Sequence, residues 1–188
     1  MAHISDLRTG IFTYLDIHTI APVAATDTAA EYAALFVGST PGTADATDGD
    51  TTGVPEHYRM PSVREFPSVG TPANIVNVPV YGQKTSSQVQ GQADAPSLEV
   101  TINYNATDAG DLHSLIGKAV TFRFMMTDTA CTPNEGAGTT LAKANTEFYF
   151  NGKVEAILVN PSLTDATTAT VTLSTQSDFI GPATIAAS

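Results

Sequence analysis

The chain has 188 residues, with 8 Lys+Arg against 19 Asp+Glu and a formal net charge of -11. That length supports one good core, and so acidic a balance excludes a passive nucleic-acid surface, which needs clustered positive charge. Cys131 is the single cysteine, so no intrachain disulfide framework exists and folding in a reducing, intracellular setting is expected.

The N-terminus, MAHISDLRTGIF, has an early Asp6, no basic stretch and no long apolar run, so it does not read as a signal peptide. No segment approaches the roughly 18 consecutive apolar residues of a membrane-spanning helix. Threonine is the compositional oddity, 28 residues in all. With Val and Ile it favours strands, because β-branched side chains suit a pleated surface. The chain is read as one mainly β domain over 1–188.

In chain order, Ile11 to Ile20 reads as a strand. Residues 26–37 (TDTAAEYAALFV) read as a short helix, capped by Thr26 or Asp27, with Ala30, Ala33, Ala34 and Phe36 or Val37 as its packed stripe. Gly38 to Gly70 reads as a long loop with Pro41, Pro55, Pro61 and Pro67. A loop of that length is usually functional or disordered. Its second half offers Tyr58, Met60, Val63, Phe66 and Val69 as anchors, which suits a segment that orders against a neighbour.

Asn74 to Tyr81 (NIVNVPVY) alternates Val76, Val78 and Val80. Pro79, with no N–H, belongs at an edge or bulge. Gln83 to Gln92 continues extended and almost wholly polar. Ser97 to Tyr104 is strongly two-faced, with Leu98, Val100, Ile102 and Tyr104 on one side and Ser97, Glu99, Thr101 and Asn103 on the other. A short helix follows, capped by Thr107 or Asp108, carrying a stripe of Leu112, Leu115 and Ile116 and ended by Gly117. It is expected to cover one sheet face.

Val120, Phe122, Phe124 and Met126 then alternate with Thr121, Arg123 and Met125. In TEFYFNGKVEAILVNPSL, Asn151-Gly152 signals a hairpin turn and Asn160-Pro161 a second turn. Ala169 to Ser174 is the last expected strand, followed by a tail, 177–188, anchored by Phe179 and Ile180.

Chemistry is sparse. His3, His18, His57 and His113 stand apart, none with a cysteine or second histidine at ligand spacing, so no metal site is read. DGDTTG (Asp48 to Gly53) places oxygens and a glycine as in a calcium loop, but the position that needs a bidentate glutamate is Arg59. GAGTT at Gly136 lacks the spacing and lysine of a phosphate loop, and no nucleophile elbow or HExxH occurs. No cofactor and no enzymatic activity are read. The polar strand faces remain. They form either the wet side of an ordinary sheet or, joined between copies, the wall of a water-filled barrel whose closure removes exposed edges.

The order of elements from Asn74 to Ser174 resembles the major tail tube protein of long, non-contractile-tailed bacteriophages. It is carried by the polar segment 83–92, then DAPSLEVTINY, the small helix in DAGDLHSLIGK, AVTFRFMM, and FYFNGKVEAILVNPSL followed by ATVTLS. The resemblance implies a β-sandwich or barrel subunit with a short flanking helix. Such subunits form hexameric rings, each giving four strands to a continuous inner barrel.

Rings stack around a tape-measure protein and between tail-tip and tail-terminator proteins, in the virion tail, after assembly in the host cytoplasm. Double-stranded DNA then passes without specific binding, and no membrane is involved. On this reading Asp94 and Glu99 face the lumen. Leu98, Val100, Ile102, Val120, Phe122 and Phe124 pack toward Leu112, Leu115 and Ile116, and 83–94 and the 38–70 loop meet the next ring. A capsid decoration or tail-terminator protein is the neighbouring alternative. A carbohydrate-binding sandwich is the distant one, with Tyr58, Phe66, Tyr149 and Phe150 as its candidate aromatics.

Overall fold

A computed structural model describes residues 12–19, 28–38, 57–70, 75–82, 84–91, 96–127, 130–131 and 145–185. Strands alternate with two short helices: β1 (Phe12–His18), α1 (Ala29–Gly38), β2 (His57–Arg59), β3 (Val63–Glu65), β4 (Ile75–Val78), β5 (Ser87–Gln90), β6 (Ser97–Asn103), α2 (Ala106–Ser114), β7 (Ala119–Thr127), β8 (Asn145–Asn160), β9 (Thr168–Thr175) and β10 (Ile180–Ile185).

The principal sheet runs β2-β1-β7-β8-β9-β6-β3, with β10 also on β8, and β4 and β5 pair separately. It curls into a half-barrel. The curl has a visible cause: β2 and β3 sit at opposite ends of the strand order, yet only Met60, Pro61 and Ser62 separate them in the chain. Ser62 adopts φ 49° to make that corner.

The inside of the curl is the main core. Leu15, Ile17, Leu98, Val100, Ile102, Val120, Phe122, Phe124, Phe150, Val154, Ala169, Val171 and Leu173 pack there with Leu112 and Leu115. Phe122 and Phe150 stack at 4.8 Å. The second half of the expected 38–70 loop is instead β2, the Met60–Ser62 corner and β3, and its anchors order against this chain's own core rather than a neighbour: Met60 is buried there, and Tyr58, Val63, Phe66 and Val69 pack against it. Phe179 joins through Phe150, at 4.9 Å.

Several expectations change. Asn151 and Gly152 are not a turn; they lie mid-strand in β8, which runs unbroken for 16 residues. Gly152 is there for close approach, since a Cβ at that position would meet the Ser174 carbonyl oxygen at 2.2 Å. Ile116 does not join the helix stripe. α2 ends at Ser114, Gly117 turns the chain at φ 78°, and Ile116 becomes an exposed bridge partner of Val154. The stripe needed one more helical turn than the chain supplies.

The cap of α1 is Thr28, and Glu31 supplies the carboxylate half of a capping box: Thr28 N and Oγ1 both donate to Glu31 Oε2, at 2.7 and 3.0 Å. On α1 itself, Tyr32, Ala33 and Phe36 are buried while Ala30 is exposed. The tail carries a further strand, β10, against the first part of β8. Asp94, His3 and the Asp48–Gly53 segment lie outside the described residues.

Candidate functional site

The outer face of the sheet divides along β8. Over β1, β7 and the first part of β8 it is roofed by α1, and the alternate positions beneath are polar. One row across the strands reads Arg59, Asp16, Arg123, Tyr149, Ile180. The next reads His57, His18, Thr121, Asn151. Asp16 is fully buried. Arg59 Nε donates to its Oδ1 at 2.7 Å, Arg123 Nη2 to its Oδ2 at 2.6 Å, and His57 Nε2 stands 4.0 Å away.

Burial alone would raise the Asp16 carboxyl. The His57 ring and the two guanidinium groups outweigh it and hold the group well below the usual carboxylate range. Glu147, buried beside this cluster, goes the other way. Desolvation pushes it up, and the Arg123 charge only partly offsets that. Its Oε2 accepts from Tyr149, while Oε1 has no hydrogen-bond partner.

α1 closes over these groups with Phe36, edge-on to His18 and His57 at 5.5 and 5.2 Å and 4.6 Å from the Arg123 guanidinium. Tyr32 Oη accepts from Asn151 Nδ2 at 2.9 Å. The cluster is a charge-paired interior in which Asp16 and Arg123 are sealed off; Arg59, 17% exposed, also lines a cavity of about 320 Å³ with Thr13, Tyr14, Met60, Ser62, Val63 and Phe66. Among the described residues no group of His, Cys, Asp and Glu is placed to hold a metal.

The second part of the sheet has no roof among the described elements. β8 beyond its bulge, β9, β6 and β3 present rows of Ala156, Thr172 and Glu99; of Leu158, Thr170, Thr101 and Glu65; and of Asn160, Thr168 and Asn103. The inward partners Val154, Leu173, Leu98, Val171 and Val100 are buried, while Ser97, Glu99 and Asn103 are exposed.

Glu99 therefore stands where its strand periodicity placed it. Glu65 and Glu155 join it on this face, Glu155 by accepting from Ser174 Oγ. Three carboxylates thus share the surface with Lys153 as the row neighbour of Ser174. Sequence reasoning missed Glu65 because it sits in the long loop, and Glu155 because only the bulge between Val154 and Ala156 turns it outward.

This four-strand segment also ends in open backbone. β7 pairs with β8 only as far as Lys153. Among the described residues nothing pairs with the free side of Glu155 to Asn160, nor with the side of β3 away from β6.

No protein-family model matches the chain, and no curated protein matches it in sequence. Tyr149 and Phe150 are fully buried, and Tyr58 and Phe66 pack on the core. Among the described residues no helix is long and apolar enough to cross a membrane.

Proposed function

We propose that the chain is a structural subunit of a phage tail tube, its uncovered four-strand face lining the bore. The observation that carries this reading is the conjunction of a polar, acidic face on β8, β9, β6 and β3 with an unpaired backbone edge at each side of that segment. Unpaired edges recruit further strands. Two unlike edges, β3 on one side and the end of β8 on the other, generate head-to-tail contacts that close into a ring when the rotation allows.

Six copies then supply one continuous barrel. Glu99, Glu65 and Glu155 repeat around its wall, with Asp94 close to the start of β6 in the chain. Such a wall repels the phosphate backbone over distance and lets DNA pass without sticking. The fully apolar inside of the curl gives each wall segment a rigid backing. The tape-measure protein, the tail tip and the terminator belong to this reading as partners; of the segments expected to meet the next ring, 57–70 is taken up by the subunit's own sheet and core, which leaves 38–56 and the part of 83–94 beyond β5 for that contact.

Negative-stain electron microscopy of the purified chain at high concentration tests the reading. Hollow filaments with six-fold rings are expected. Discrete closed particles would favour a capsid decoration or terminator protein, and a persistent monomer would remove the tube altogether.

A further inference from the structure

The large exposed hydrophobic residues among the described part of the chain gather in two unlike places. The first is the β4–β5 hairpin, where Ile75, Val76, Val78, Val80, Tyr81 and Val89 are all exposed. It pairs Ile75 with Gln90 and Val76 with Val89, and neither strand joins the principal sheet. Ile75 points to one side of the ribbon and Val76 and Val78 to the other, so both faces carry apolar surface. A lone two-stranded ribbon is marginal in water and gains stability from a third layer or strand.

The second place is the far end of β8. Leu158, Val159 and, in the turn after it, Leu163 are exposed, with Ile116 beside Val154 on the same strand. Leu163 and Tyr81, at 105% and 106%, are as open as side chains become.

Charge relates the two. The only charged residue from Ile75 to Gly91 is Lys84, and the only one from Ala156 to Ser174 is Asp165. In a chain of net charge -11, copies repel one another in general. These two nearly uncharged surfaces, tipped with opposite signs, are where that repulsion is least.

We infer that the β4–β5 hairpin is an arm that docks on the Val159 and Leu163 end of β8 in a second copy of this chain, on the side away from the bore-lining Leu158, with Lys84 toward Asp165. The contact joins two different surfaces, so each copy both gives an arm and receives one, and association propagates. The inference rests on the tube reading for which copy gives the arm. Only nine residues, 66–74, separate β3 from β4, a reach of at most about 32 Å. The neighbour that lends β3 to the open edge of β8 therefore has its arm within about 32 Å of that edge, close enough to reach the end of the strand.

The test uses the full chain with Cys131→Ser and one new cysteine, either Tyr81→Cys or Leu163→Cys, both at fully exposed positions. Mild oxidation of the two variants mixed together is expected to give a disulfide-linked dimer that neither gives alone. A chain carrying both substitutions is expected to give a ladder, and Val76→Asp with Val89→Asp to abolish it. Homodimers of Tyr81→Cys alone would mean arm-to-arm pairing and overturn the inference, as would the absence of cross-linked product. Electron microscopy of the same samples separates the two claims. The mixed dimer without hollow filaments removes the tube and keeps the arm contact, whereas filaments without the mixed dimer do the reverse.

Discussion

The roofed and unroofed parts of the outer sheet face are built from strands of the same kind, and one strand, β8, belongs to both. Both alternate apolar and polar residues. On β6 the polar side meets water, with Glu99 exposed; on β7 it meets α1, with Thr121 and Arg123 fully buried. A polar residue on the outer face of the roofed part must find its partners inside the protein, and Asp16, Arg59 and Arg123 do so. On the unroofed part the threonines and glutamates answer to water alone, and their identity is set by what lies outside the subunit.

The largest contrast comes from removing one cation on each part. Arg123→Met strips Asp16 of a buried partner and should cost about 3–5 kcal/mol, whereas Lys153→Met should stay within about 0.5 kcal/mol; urea denaturation of the two variants compares them. Detaching the roof comes next. Phe36→Ala removes the ring that touches His18, His57 and Tyr149 and should cost about 3 kcal/mol. Amide exchange should then accelerate in α1 and leave β6 and β9 unchanged.

A smaller effect sharpens the comparison through pH. The Asp16 carboxyl is depressed in the native state, so its contribution is complete above the ordinary carboxylate pKa of about 4 and is lost as pH falls toward the native value. Glu147 is raised, so the native state keeps a proton that the unfolded chain has released. The stability this gives is full at low pH and is lost as pH rises from about 4 through the native value. Thermal denaturation should therefore show a maximum in mildly acidic solution. Glu147→Gln should flatten the limb above it and leave the acid limb in place.

The smallest effect on stability falls on the unroofed face. Glu99→Lys should change folding by no more than about 0.5 kcal/mol; if the proposed tube reading holds, it also leaves tubes able to form while DNA passage in particles built from it slows. Normal passage through a bore so altered would separate this face from the lumen.

Most strands and both helices were legible in the sequence because they rest on local alternation and on short apolar stripes. Leu98, Val100 and Ile102 needed only period two, and Leu112 and Leu115 only a helical step. Gly152 misled, since beside Asn151 it carries a turn signal, and its true role depends on Ser174, far along the chain. The paired charges stayed hidden for the same reason. Asp16, Arg59, Arg123 and Glu147 lie in four separate strands, and no local pattern distinguishes a polar position under a helix from one in water. His18 and His57, read as scattered, are neighbours at 6.2 Å for that reason. Glu99 was legible and Glu65 was not, because β3 has three residues and its register is given by β6 rather than by its own pattern.

The unbroken run of β8 has a mechanical consequence. Its first part bears the roofed ion pair through β7 and its last part borders the open face, with peptide bonds alone between them. Tension along this strand is thus carried covalently from one part to the other, and the ladders beside it are loaded in shear, many hydrogen bonds at once, instead of being peeled one at a time.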